Sequence, residues 1–179
     1  MSEVAITLFQ GRVGDHNNLA IPGAKSLAAV LSERLGAGVV VVGTPAPALN
    51  LGWRAELDAA MPALRALAAQ LDQVLARRAK PLTASSRCAA SLATLPVVAR
   101  HRPDACVVWF DAHADLNTPS TTDSGYLGGM VAGAVDRRPG PGAGGAPIGV
   151  TACRPWRHNV ARRCPDRTGP PSPRRTPGR

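Results

Sequence analysis

Cys106-Val107-Val108-Trp109-Phe110-Asp111-Ala112-His113-Ala114-Asp115 runs five apolar residues straight into two carboxylates and an imidazole. The apolar run reads as a buried strand. The donors follow at its carboxyl end, where open α/β sheets place their ligands. Alternation of Asp111, His113 and Asp115 points all three to one side of an extended segment, so that they can converge on a metal. Oxygen donors with one imidazole suit Mn²⁺ or a similar divalent ion. Carboxylates set against a hydrophobic strand are costly without such a partner.

Working outward, the rest of the chain supplies the sheet that such a strand needs. Val4 to Phe9 reads as a strand leading into the turn-rich Gln10-Gly11-Arg12-Val13-Gly14-Asp15. Ile21-Pro22-Gly23 opens a helix whose apolar positions are Leu27, Val30, Leu31 and Leu35, closed by Gly36 and Gly38. Val39 to Val42 is a continuous β-branched run, expected to be covered on both faces. From Trp53 to Arg78, the positions Leu57, Met61, Leu64, Leu67, Leu71, Val74 and Leu75 mark a long amphipathic helix. Arg77, Arg78 and Lys80 suit the negative pole of its dipole. Pro81-Leu82-Thr83 begins a third strand, and Ala89 to Arg100 forms a helix with Pro96 as a kink or first-turn residue. The alternation predicts an α/β fold with a mainly parallel sheet and helices on its faces.

Composition divides the chain at about residue 135. The 179 residues are enough for one domain with a sizeable core. The formal charge of +9 is uneven: residues 1 to 135 hold 11 Lys or Arg against 10 acids, whereas the remainder holds 10 Arg and only Asp136 and Asp166. Residues 136–179 also hold nine of the 17 prolines and no apolar period, so a disordered tail is expected there. The domain organisation is therefore a domain over 1–135 and an Arg/Pro/Gly-rich tail over 136–179. Such a bias is also what GC-rich coding sequence yields in a shifted frame. An Arg-rich arm for nucleic acid is the other reading of the tail, but it lacks Lys, and Trp156 is its single aromatic, which argues against that partner. Cys88, Cys106, Cys153 and Cys164 show no Cys-x-x-Cys spacing. The amino terminus has no basic n-region, and no apolar run approaches the ~18 residues that cross a bilayer. A cytoplasmic protein with no membrane partner is the expectation.

Residues 107 to 129, VVWFDAHADLNTPSTTDSGYLGG, resemble the second metal-binding segment of the ureohydrolase family. That family comprises the arginases, agmatinases, formiminoglutamases and relatives. Its Asp-Ala-His-x-Asp element is matched in full, followed by Asn-Thr-Pro and Ser-Gly in the family's order. The resemblance runs from residue 4 to about 135 and implies a three-layer α/β sandwich, here incomplete in its C-terminal half. It implies a hydrolase that cleaves the C–N bond of a guanidino or formimino compound. Two Mn²⁺ ions sharing a bridging hydroxide supply the nucleophile in that family. By resemblance Asp111, His113 and Asp115 are metal ligands, with Asp115 also assigned to catalysis, and Asn117 and Ser124 hold the substrate's amino-acid end. Loop capping is the plain alternative for those last two. Trimers or hexamers are implied by the family alone.

Departures from the pattern bear on activity. Where the family's Gly-Gly-Asp-His-Ser segment should fall, this chain reads Ser85-Ser86-Arg87-Cys88-Ala89. Cys88 thus stands in place of a metal-binding histidine. Its thiolate, favoured by the neighbouring guanidinium, could bind a softer ion such as Zn²⁺; otherwise it is a cysteine packed at a helix start. A histidine that shuttles protons in the arginase branch falls at Gly128. The third metal segment, Ser-x-Asp-x-Asp-x-x-Asp-Pro, does not occur in the chain. At most one ion is then expected, so a truncated, non-catalytic remnant with weak metal binding stands beside the hydrolase reading. His16 is a further candidate ligand, since its loop also follows a strand. His101 is expected to face solvent at a helix end.

Overall fold

The computed structural model describes residues 3–135, so the tail with its cysteines and His158 lies outside the described residues. The element order is β1 (Val4–Phe9), α1 (Ala20–Leu35), β2 (Val39–Val42), α2 (Trp53–Ala76), β3 (Lys80–Ala84), α3 (Ser91–His101) and α4 (Val131–Val135). The three strands are parallel in the order β2-β1-β3, with Ile6 beside Val39 and Leu82. Each parallel pair requires a helical crossover, which α1 and α2 provide.

Layering follows from the pleat of β1. Leu8 joins Ala24, Ala28 and Ala84 in a small cluster beneath α1. Its neighbour Phe9, pointing to the opposite face, joins Leu57, Ala60, Leu64 and Leu67 of α2 and Leu92 and Ala93 of α3. The sheet is therefore the middle of three layers. The α2 stripe is buried at Leu57, Leu64, Leu67, Leu71, Val74 and Leu75, as its spacing requires. Pro62 interrupts the helical hydrogen bonding on the exposed side of α2, where water can serve the freed carbonyl.

Three expectations are corrected by packing. First, α1 buries Ile21, Ala24 and Ala28, leaving Leu27 (51% exposed), Val30 and Leu35 in solvent. Two alanines let the helix axis come close to the sheet, and the bulkier residues lie along its flank. Second, β2 is not covered on both faces: Val40 and Val41 are 46% and 55% exposed and only Val42 is buried. β2 is the sheet margin, and the helices sit over β1 and β3 more than over it. Third, Cys106 to Phe110 does not join the sheet. Val107 and Trp109 turn inward while Phe110 is 95% exposed, so the segment keeps a strand's alternation without a partner strand among the described residues.

Two loops approach closely at the carboxyl ends of β1 and β2. Gln10 N donates to the Val42 carbonyl at 2.9 Å. Gly43 has φ +83, and a Cβ there would lie 2.6 Å from Gly11 N. We expect Gly43→Ala to cost about 1–3 kcal/mol, the usual range for overpacking. Urea denaturation should show this as a lower midpoint at unchanged slope. An unchanged midpoint would mean that the two loops move apart freely.

Candidate metal centre

Asp111 and Asp115 are brought together, but not by the pleat of a strand. The chain bends at Asp111 to His113, and Asp115 adopts φ +51. Aspartate tolerates that left-handed region better than most side chains. The turn is held from behind: Ala132 N and Gly133 N both donate to the Asp115 carbonyl, and Asn117 N donates to Gly129. Gly133 is required, since a Cβ there would meet the Asn117 carbonyl oxygen at 2.6 Å. The short stretch 128–135 is thus the brace of the site loop.

Cys88 completes the group. It opens a 3-10 turn, Cys88–Ala90, between β3 and α3. Its Sγ donates to Asp111 Oδ2 at 3.3 Å. One donor atom from each of Cys88, Asp111 and Asp115 lies within 4.8 Å of the others. Donors placed around one ion at about 2.0–2.3 Å are separated by up to roughly 4.6 Å, so a contraction of a few tenths of an ångström would let the group hold a single divalent cation. Asp115 is buried, and its Oδ2 has no hydrogen-bond partner. A buried carboxylate oxygen without a donor is costly, and a cation removes that cost.

Charge within the group is unbalanced. Burial pushes the Asp115 carboxyl up from its ordinary value, and Asp111 adds to the shift. Asp111 is held down, first by the His113 backbone N–H and then by the Cys88 thiol. The Cys88 thiol is pushed up to about 11, by burial first and then by its hydrogen bond to Asp111 and the charges of Asp115 and Asp111. The expected activation of Cys88 by Arg87 is therefore reversed. Arg87 turns its Nε toward Asp15 Oδ1, 3.6 Å away, and two carboxylates face the sulfur instead. In metal-free protein near neutral pH, Cys88 should alkylate far more slowly than the exposed Cys106, with its rate climbing as pH rises toward 11. Peptide mass spectrometry after an iodoacetamide pulse reads both sites; equal rates at pH 7 would contradict this environment.

The other sequence-predicted residues lie outside the three-donor group. His113 is 84% exposed on its side chain, with Nδ1 3.5 Å from Asp111 Oδ1 at the rim. The bend at Asp111 that aims Asp115 inward turns position 113 outward, which is why alternation misplaces it. Asn117 accepts from Thr121 Oγ1 at 3.4 Å, and Ser124 Oγ accepts from Tyr126 N at 3.3 Å; both are local loop bonds. His16 is exposed and meets Tyr126 edge-on, ring centroids 4.6 Å apart. His101 does not simply face solvent: its Nε2 is 3.0 Å from Asp72 of α2, which also pairs with Arg100.

Two features were missed from the sequence. Asp15 is fully buried and paired with Arg87, tying the loop after β1 to the loop after β3. Tyr126 leans across Gly128, where an added Cβ would lie 2.6 Å from its ring and 2.8 Å from its hydroxyl. A side chain at 128 and this ring position exclude each other. Nothing local in the sequence marks Tyr126; an acid directly after a strand-loop glycine was the faint signal for Asp15.

Comparison with known proteins agrees with this architecture. The N(omega)-hydroxy-L-arginine amidinohydrolase of Streptomyces lavendulae is 42% identical over 128 residues, covering 72% of this chain and 47% of the relative. The arginase of Bacillus caldovelox is 40% identical over 74 residues, 41% of this chain and 25% of that one. The crystal structure of arginase from Bacillus cereus superposes with a TM-score of 0.61 at 27% identity, over 76% of this chain and 48% of that chain. The chain spans about half the length of the Streptomyces relative and of the Bacillus cereus arginase. The sequence model of the arginase family matches residues 12–159, continuing past the described residues. With a three-layer parallel α/β fold, an Asp-x-His-x-Asp loop and a family match over most of its length, the chain belongs to the arginase family.

Proposed function

We propose that this chain carries part of the metal site of an amidinohydrolase acting on a guanidino compound with an amino-acid end. The observation that carries the reading is the buried, unpartnered Asp115 Oδ2 beside the carboxylate of Asp111. A divalent ion, Mn²⁺ in the family, would supply acidification of water and stabilisation of negative charge. Asp111 and Asp115 would hold it, with His113 reaching it by a side-chain rotation from the rim. In the reaction, water adds to the guanidinium carbon, the C–N bond to the alkyl nitrogen breaks, and urea and an amine leave. As a ligand Asp115 would be ionised, and its carboxylate would accept the proton released by water and pass it to the departing amine. Asn117 and Ser124 would orient the substrate's amino-acid end.

Similarity to an enzyme named for N-hydroxyarginine, and to arginases, supports proposing arginine-like substrates ahead of agmatine. No helix of the described residues is long and apolar enough to cross a membrane. A cytoplasmic homo-oligomer is part of the same reading. The second reading, a non-catalytic chain that binds one ion weakly, is favoured by Cys88 at the histidine position. For the 179-residue chain we expect Mn²⁺ binding by calorimetry, but little urea from arginine or agmatine. Turnover clearly above the metal-only background would overturn the second reading, and heat-silent titration would overturn both.

A further inference from the structure

We propose that Cys88 is a direct metal ligand, making the centre a thiolate–dicarboxylate site that prefers Zn²⁺ or Co²⁺ over Mn²⁺. The proposal rests on the metal-site reading above and goes beyond it by naming a donor and a metal class. Cys88 arrives from a different part of the fold, on the loop after β3, yet its Sγ lies 3.3 Å from Asp111 Oδ2 and within 4.8 Å of an Asp115 oxygen. A hydrogen bond alone would explain Cys88 and Asp111. It leaves Asp115 Oδ2 buried and without a partner beside them.

The nearest built-in cation does not serve the group. Arg87, adjacent in sequence, is drawn off by Asp15. His113 contacts only the Asp111 side and stands mostly in solvent. Two carboxylates and a sulfur therefore share one small volume with no fixed positive charge inside it, and a divalent ion is the group that satisfies all three. On binding, the thiol proton leaves to solvent and a metal–sulfur bond forms, so no redox partner is needed. Sulfur sets the preference: thiolate is a soft donor, better matched to Zn²⁺ or Co²⁺ than to the harder Mn²⁺.

The test uses the full chain with Cys106, Cys153 and Cys164 replaced by serine, so that Cys88 is the only thiol. Co²⁺ titration should produce a sulfur-to-metal charge-transfer band in the near ultraviolet, and Zn²⁺ should displace Co²⁺ at least tenfold more readily than Mn²⁺ does. Cys88→Ser should abolish the band and weaken Zn²⁺ more than Mn²⁺. Cys88→His should retain binding without the band and narrow the preference. Circular dichroism of each variant shows whether the fold persists, and His at this position keeps the question open to measurement if Ser disturbs it. Co²⁺ bound without charge transfer, or a Zn²⁺/Mn²⁺ ratio unmoved by Cys88→His, would overturn the thiolate ligand. Metal binding unaffected by Asp111→Asn and Asp115→Asn would instead sink the underlying site reading, so the two failures are distinguishable.

Discussion

Asp115→Asn is expected to change metal binding and metal-free stability in opposite directions. Asparagine accepts the φ of +51 at this position, so the turn that builds the site survives. The substitution removes the charge of a proposed ligand, and divalent-ion affinity should fall by about tenfold to a hundredfold or more, at least the loss typical of outer-shell partners. Without metal the result reverses. In the unsubstituted chain burial and Asp111 raise the Asp115 carboxyl, so its ionised form destabilises the folded state. That destabilisation is complete above the raised folded pKa, shrinks as pH falls through it, and is absent below the ordinary value of 3.8. Asparagine removes it, so the metal-free variant should melt higher than the parent at pH 7 and lose the pH dependence that this residue contributes. Saturating metal should then reorder the pair: a hundredfold excess over Kd stabilises the parent by about 2.7 kcal/mol and the variant by little. Thermal melts with and without metal at two pH values provide all four comparisons. A variant that melts lower than the parent in the absence of metal would refute the assignment of Asp115 as an uncompensated buried carboxylate.

Arg87→Met should be the most damaging single change to the fold near the site. It leaves Asp15 fully buried with only Val13 N–H, at 3.2 Å from Oδ2, as a donor. Breaking a buried ion pair from one side costs roughly 3–5 kcal/mol. Because Arg87 keeps some solvent access and the pair is 3.6 Å apart without hydrogen-bond geometry, the lower end of that range, about 3 kcal/mol, is expected. The paired change Arg87→Met with Asp15→Asn should recover most of the loss, since it removes both charges together. Denaturant unfolding of the four members of this double-mutant cycle measures the coupling. Additive losses would mean that Arg87 and Asp15 are neighbours without energetic consequence.

Legibility in the sequence varied with how local the cause was. α2 could be read from its leucine spacing because a 24-residue helix samples its buried face many times over. α1 could not be assigned a face, because its buried contacts are made by Ala24 and Ala28, which carry little hydrophobic signal but permit close approach to Leu8 and Ala84. β2 looks like a central strand by composition, yet sits at the sheet margin. Strand order is a property of the whole sheet, and four valines do not encode it. The run 106–110 has strand composition, but hydrogen bonding needs a neighbour that the described residues do not provide.

The same division holds at the site. Asp111 and Asp115 stand out as candidates because five consecutive residues follow directly on an apolar run. Their family followed from the loop beyond. Which donors share one point in space, however, was decided by tertiary structure. A left-handed turn at Asp115 gathers the two carboxylates and leaves His113 at the rim, and the β3–α3 loop delivers Cys88 from 23 residues earlier. Arg87 reads from sequence as an activator of that thiol, but in the fold it answers Asp15, 72 positions away along the chain. Local order of residues sets which chemical groups are available and how the backbone prefers to run. Electrostatic and donor partnerships depend on distances across the fold, and those exist only once the loops at the carboxyl ends of β1 and β3 are packed together.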